Sequence, residues 1–265
     1  MALPVGESDA AETTAFLART SGLSAGETAG YKACINYWVT NSVFALMDVA
    51  YILATKDTTT ALLNLLNTNF TGVLNGSPTF TADQGFTFLV NDGQFVDTTF
   101  VPSTAGGLYT QNAASIGSYN RTSRTVDQLY ADGGAANAAN TALATIAPKF
   151  GGNLIASINN GAFQYGVANA NSQGQYVMSR TSSVDTFVRK NEASLDSKSS
   201  DTSVATIDRS LYIGGYHANG SDVTSLSTGD QIAAFFAGGA LTATQADFIA
   251  HGFNLYMAQV GANVY

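Results

Sequence analysis

Two stretches near the end, DRSLYIGGYHANG at 208–220 and DQIAAFFAGGALTATQADFIAHGFNLYMAQV at 230–260, decide how this chain is read. The first holds a short apolar strand, Leu211 to Tyr216, that ends in a glycine pair and a polar loop. The second opens on another strand, Gln231 to Ala237, and passes into a helix. Thr242 is placed to cap that helix, with Gln245 completing a capping box. Ile249, Phe253, Tyr256 and Val260 form an apolar stripe at helical spacing. Asp247, His251 and Asn254 mark the opposite, wet stripe, on which Asp247 and His251 are spaced to pair. Gly261 follows, where a left-handed cap is expected. This order describes a β domain finished by a packing helix.

Upstream the same alternation continues. Thr79 to Thr81, Gly85 to Val90, Phe95 to Phe100 and Ala113 to Asn120 read as strands punctuated by Gly, Asn and Asp. NDG at 91–93 reads as the turn of a tight hairpin. Asn153 to Ile158, Ala162 to Val167, Tyr176 to Arg180 and Asp185 to Arg189 read as further strands. The Gly/Ala/Asn-rich segment from Ala131 to Ala144 and the polar run from Glu192 to Thr206 read as surface loops.

The head has a different period. Ser8 to Thr20 reads as a helix that Ser8 or Asp9 can cap. Ser24 and Glu27 form a capping box for a second helix, whose Tyr31, Ile35, Trp38 and Val39 face the core and which Asn41 stops. Val49 to Leu53 reads as a buried strand. Asp57 caps a third short helix carrying Ala61, Leu62, Leu65 and Leu66. Residues 1–66 are therefore expected to form a helical segment packed on or anchoring a sandwich that spans 67–265. Many short strands at about ten-residue spacing point to a mainly β sandwich.

Composition narrows the function classes. The chain has 265 residues, of which 45% are hydrophobic, ample for a sizeable core. Only 11% are charged, against about 25% for an ordinary soluble domain. A net charge of −8 without a Lys/Arg cluster argues against a nucleic-acid binder, which needs a basic footprint. The single cysteine, Cys34, leaves no internal disulfide and reads as a small buried hydrophobe. The acidic start MALPVGESDAAE lacks the basic region of a signal peptide. Ile35 to Ala54 is long enough to cross a bilayer, but Asn36, Thr40, Asn41, Ser42 and Asp48 interrupt it, so no membrane span is expected.

These residues resemble a known family. Leu211, Ile213, Gly214, Gly215, Asn219 and Gly220, then Ile232 to Phe236, Leu241 and Thr242, are similar to the C-terminal pattern of the concanavalin A-like (laminin G-like) lectin sandwiches. TFVRKNEASL at 186–195 resembles that family's "YVNG" strand-turn without its glycine, so this turn must differ. FLARTSGL at 16–23, MDVAYILAT at 47–55, TTALLNLLNTNF at 59–70 and NGSPTFTADQGF at 75–86 resemble virion proteins of tailed phages and prophages of alphaproteobacteria. So do VDTTFVPS at 96–103 and QNAASIGSYNRT at 111–122. The resemblance covers nearly the whole chain and rests on packing and turn motifs. It implies a concanavalin A-like jelly-roll sandwich in a virion structural protein, as capsid decoration, head fibre, tail fibre or tail tip. It also implies other virion proteins and host surface glycans as partners. A homo-oligomer is expected, the trimer being the form many phage appendages take.

No stretch announces a chemistry. Glycosidases need paired carboxylates, yet no Glu-x-Asp-x-Glu stretch includes any of the four glutamates, Glu7, Glu12, Glu27 and Glu192. Neither a GxSxG elbow, an HExxH pair nor a phosphate loop is present. No enzyme activity and no cofactor are expected, although the loop from Asn219 to Asp222 offers oxygen ligands for calcium. Aromatic platforms beside polar groups suit glycans, and two groups of this kind stand out: Tyr119, Asn120 and Arg121, and Tyr216, His217, Asn219 and Asp222. The bland alternative is that these tyrosines pack at strand ends. The competing functions are a secreted lectin and a polysaccharide depolymerase, for which Glu192 and Asp185 would be the acids.

Overall fold

The computed structural model describes residues 8–89, 93–125, 128–137, 139, 141–217 and 229–265. In chain order the elements are α1 (Ala11–Leu17), α2 (Ala25–Thr40), β1 (Met47–Ile52), α3 (Thr58–Ala61), β2 (Val73–Asn75), β3 (Thr79–Thr81), β4 (Gly85–Thr87), β5 (Phe95–Asp97), β6 (Ala114–Asn120) and β7 (Gly133–Ala136). They continue with β8 (Leu143–Phe150), β9 (Asn153–Asn160), β10 (Tyr165–Ala168), β11 (Gly174–Arg180), β12 (Thr186–Lys190), β13 (Ala193–Lys198), β14 (Tyr212–Ile213), β15 (Gln231–Gly238) and α4 (Ala243–Gln259).

Two antiparallel sheets face each other as the expected sandwich. One has the order β13-β12-β11-β6-β15-β4-β3, with β1 also paired to β15. The other runs β10-β9-β8-β7-β14-β5-β2. The core between them holds Ile116, Met178 and Phe235 from the first sheet against Ile146, Ile158 and Ile213 from the second.

The outer face of the first sheet is covered by α2 and α4. Trp38 of α2, Phe253 of α4 and Phe236 of β15 pack in one buried cluster. Both helices begin on the predicted capping boxes, Ser24 with Glu27 and Thr242 with Gln245. Gly252 sits in mid-helix because the Trp38 indole lies against it: a Cβ there would come 2.0 Å from Trp38 Nε1. That indole donates to Ile249 O at 3.2 Å, locking the two helices together. Asp57 caps α3 as expected, but the helix stops at Ala61, short of Leu65 and Leu66.

Several expectations need correction. The first helix is not capped by Ser8 or Asp9. Asp9 pairs with Lys32 at 2.7 Å, and the Ala10 amide donates to Asn36. The segment read as a loop from 131 to 144 contains β7, wholly buried in the middle of its sheet. Its residues are small because space is absent: a Cβ on Gly133 would meet the Phe235 ring at 2.6 Å, and one on Gly134 would meet Ala144 O at 2.1 Å. The run from Glu192 contains β13, an edge strand whose exposed polar side chains made it look like a loop. NDG at 91–93 does not join a hairpin. β4 pairs with β3 and β15, whereas β5 pairs with β2 and β14 in the other sheet; positions 91 and 92 lie outside the described residues.

Asp247 and His251 do not pair with each other. Arg189 of β12 takes Asp247 in a bidentate pair at 2.6 and 2.7 Å, and His251 Nδ1 lies 3.1 Å from Glu192 Oε1. The face read as wet is the one that docks on the β12–β13 turn. Among the described residues no helix is long and apolar enough to cross a membrane.

Candidate functional site

At one end of the sandwich two loops form an open groove of about 360 Å³, lined by Pro102, Ser103, Gly106, Gly107, Tyr109, Thr110, Gln111, Ala205 and Thr206. Both walls are fixed from below. On the first, Asp48 of β1 accepts the Leu108 and Tyr109 amides, each at 2.8 Å, through its two oxygens. Burial raises the pKa of this carboxyl, and the two amide bonds oppose that rise. Gly107 leaves room for the clamp, since a Cβ there would lie 2.3 Å from Asp48 Oδ1.

Asn159, near the end of β9, holds the same wall from the other side. Its backbone is left-handed at φ 49°, a conformation Asn tolerates better than most residues. Its Oδ1 accepts the Tyr109 hydroxyl at 3.0 Å, and its Nδ2 donates to Thr110 O at 2.9 Å and Gln111 O at 3.0 Å.

The second wall hangs on a buried ion pair. Arg180, at the end of β11, is 0% exposed and donates to Ile158 O, Asp201 O and Asp201 Oδ2. Asp201 also accepts from Thr186 and Asn160. Ser103 N donates to Ile207 O, and Gln111 Nε2 donates to Ser203 Oγ at 3.2 Å, so the walls are tied to each other. A groove built this way has its shape before a ligand arrives, which lowers the entropy lost on binding.

The other end of β6 holds a buried polar network. Asn120 Nδ2 donates to Asp132 Oδ1 at 2.9 Å and to Asp230 Oδ2 at 2.8 Å. Ser118 Oγ donates to Asp132 Oδ2, and Arg124 donates through Nε and Nη2 to Asp230 Oδ2. Burial, then the Asp230 charge, push the Asp132 carboxyl well above the usual range, against Arg124, Ser118 and Asn120. Burial also raises Asp230, with Arg124 and Asn120 opposing. These carboxylates face the interior, and their arrangement suits cross-sheet bonding better than attack on a substrate.

The residues singled out for glycan contact fall elsewhere than on one loop edge. Tyr119 is 0% exposed beneath α4, its hydroxyl donating to Asn254 Oδ1 and accepting from Val264 N. Asn120 is buried in the network above. Both are strand residues of β6, which is covered on both faces. Arg121 is half-buried, with Nε on Ala262 O and Nη1 on Gln84 and Gln231. Tyr216 and His217 are buried beside the other sheet. The His217 ring stacks on Tyr212 at 4.1 Å, and Tyr212 stacks on Phe95 at 3.9 Å. The two groups thus lie on different sheets and are not brought together; Asn219 and Asp222 lie outside the described residues. The groove residues went unnoticed in the sequence. The signal there was VPSTAGGLYTQN at 101–112, a long polar connection with paired glycines between two strands.

The depolymerase acids are also engaged. Glu192 meets His251, and Asp185 accepts the Ser182 hydroxyl at 2.6 Å. Among the described residues no three His, Cys, Asp or Glu side chains gather as a metal-holding group.

Fold and groove together define a mainly β, two-sheet sandwich with helices on one face and a preformed surface cleft. No protein-family model and no curated protein matches the chain. Solved structures do. The binding domain of botulinum neurotoxin serotype D is similar, with a TM-score of 0.54 and 11% identity over 80% of this chain and 52% of that one. The receptor-binding domain of the botulinum neurotoxin C/D mosaic serotype gives 0.52 and 10% over 79% and 52%. Domain 4 of AbnA, a GH43 extracellular arabinanase from Geobacillus stearothermophilus in complex with arabinotriose, gives 0.47 and 14% over 77% and 100%. The chain spans about half the length of the toxin domains, and at these identities the likeness is one of fold.

Proposed function

We propose that this chain is a non-enzymatic binding module that holds glycans in the groove between residues 102–111 and 205–206, and that it serves as a structural component of a bacteriophage virion. The observation that carries the binding role is the groove itself, an open cleft held in one shape by Asp48, Asn159 and the Arg180–Asp201 pair. Its lining offers hydroxyls, an amide and backbone groups, and no nucleophile set beside a base. Two solved structures with this fold are described as binding or receptor-binding domains, in keeping with such a role. The virion assignment draws on the resemblance of residues 16–122 to phage proteins and on the low charge content. Mass spectrometry of purified phage particles tests it: the chain should appear at a fixed copy number, and its absence from particles would refute the assignment. The non-enzymatic part predicts no release of reducing ends from host polysaccharide incubated with the purified chain.

A further inference from the structure

The described lining of the groove carries no charged side chain, and from this we infer that its ligand is an uncharged saccharide rather than an acidic one. The inference rests on the groove being the binding surface. Among the nine lining residues the only ionisable side chain is Tyr109. Its phenol is buried and donates to Asn159, and burial raises its pKa far beyond the neutral range. The carboxylate behind the first wall, Asp48, is occupied by two amides. The charges behind the second wall, Arg180 and Asp201, are bonded to each other and to the backbone beneath.

A carboxylate or sulfate ester entering this groove would give up part of its water shell and meet no cation among the described lining residues. An unpaired charge costs far more to desolvate than a hydroxyl that can rebond. The chain's net charge of −8 adds a long-range repulsion of the same sign. A neutral sugar finds matching partners instead. Hydroxyls of Ser103, Thr110 and Thr206 and the Gln111 amide can exchange hydrogen bonds with sugar hydroxyls, and the exposed Ala205 gives its C–H faces something apolar to lie on. A volume of about 360 Å³ is near the lower end of the roughly 300–1,000 Å³ usual for ligand pockets. It therefore suits the terminal units of a chain more than a long stretch.

The test uses the purified full chain and saturation-transfer NMR with calorimetry. The probes are neutral hexose and pentose oligosaccharides and their uronic, sialylated and sulfated counterparts. Ala205 is exposed on the groove wall, so Ala205→Trp fills the cleft without removing a side-chain hydrogen bond. Neutral probes should bind the wild type, and Ala205→Trp should weaken them at least about tenfold, equivalent to 1.4 kcal/mol, with an unchanged thermal midpoint. Ala205→Arg should shift preference toward the acidic set. If acidic probes bind the wild type better than neutral ones and Ala205→Trp blocks them, the groove survives and its neutral character is refuted. If binding is indifferent to Ala205→Trp, or no probe binds, the groove reading itself is overturned.

Discussion

Asp132 and Asp230 set a clear pH dependence on single residues. Both hang on the one amide of Asn120, and Arg124 lies on Asp230. A proton on the pair therefore settles on Asp132, which has Ser118 and Asn120 but no bonded cation. Tyr176, which feels the Asp132 charge, stays protonated because burial raises its pKa. The folded pKa of Asp132 lies above its unfolded value. Its contribution to stability is thus complete below about pH 4 and is lost as pH rises from there toward the folded pKa. Asp132→Asn imitates the protonated acid, with Oδ1 accepting from Asn120 and Nδ2 donating to Ser118. Urea unfolding from pH 4 to 8 should show the wild type losing up to about 1.4 kcal/mol per pH unit relative to Asp132→Asn. Parallel curves would mean that Asp132 is ionised in the fold. Nothing in SYN at 118–120 foretold this. A tyrosine beside an asparagine and an arginine looks like a sugar platform until the strand is seen to be covered on both faces.

At the scale of elements, legibility followed packing period. α2 and α4 were readable because caps and stripes are local, and both capping boxes formed where Ser24 and Thr242 placed them. β7 was not readable, because GGAA carries no alternation; its shape is dictated by the carbonyl of Ala144 on the next strand and by the ring of Phe235, about a hundred residues away in sequence. The same reasoning predicts the sign of Gly252→Ala. In an open helix that change gains about 1 kcal/mol. Here the new methyl must displace a buried indole, and overpacking costs about 1–3 kcal/mol, to which loss of the Trp38–Ile249 bond adds about 1 kcal/mol. Net destabilisation with a red-shifted Trp38 emission is expected, and a stabilised protein would show that α2 and α4 can part freely. The β1 clamp gives a second test. Asp48→Ala should leave the fold intact, speed hydrogen exchange at the Leu108 and Tyr109 amides, and weaken any groove ligand. Unchanged exchange would remove Asp48 from the groove's support.

For the whole molecule, a helical head on a sandwich was legible, but how tightly the two are joined was not. Residues 47–52 of the head are a strand of the first sheet, paired to β15 from Met47 to Ile52. Ala50 and Ile52 of that strand share one buried cluster with Trp38 of α2, Phe236 of β15 and Phe253 of α4. Thr55, just past β1, donates to Glu27 at the start of α2, so the helix is bonded to the sheet's edge. Removing residues 1–66 would therefore strip a strand from β15, uncover the apolar face of the sheet and leave half of α4 without a partner. Bare strand edges and exposed apolar faces drive association. A chain of 67–265 should accordingly aggregate or lose dispersed NMR signals, whereas the full chain stays folded at the same concentration. The groove offers the internal control, because its Asp48 clamp departs with β1 while Asn159 and Arg180 remain. A soluble, dispersed 67–265 that still binds the groove's ligand would show that the head merely decorates a self-sufficient sandwich.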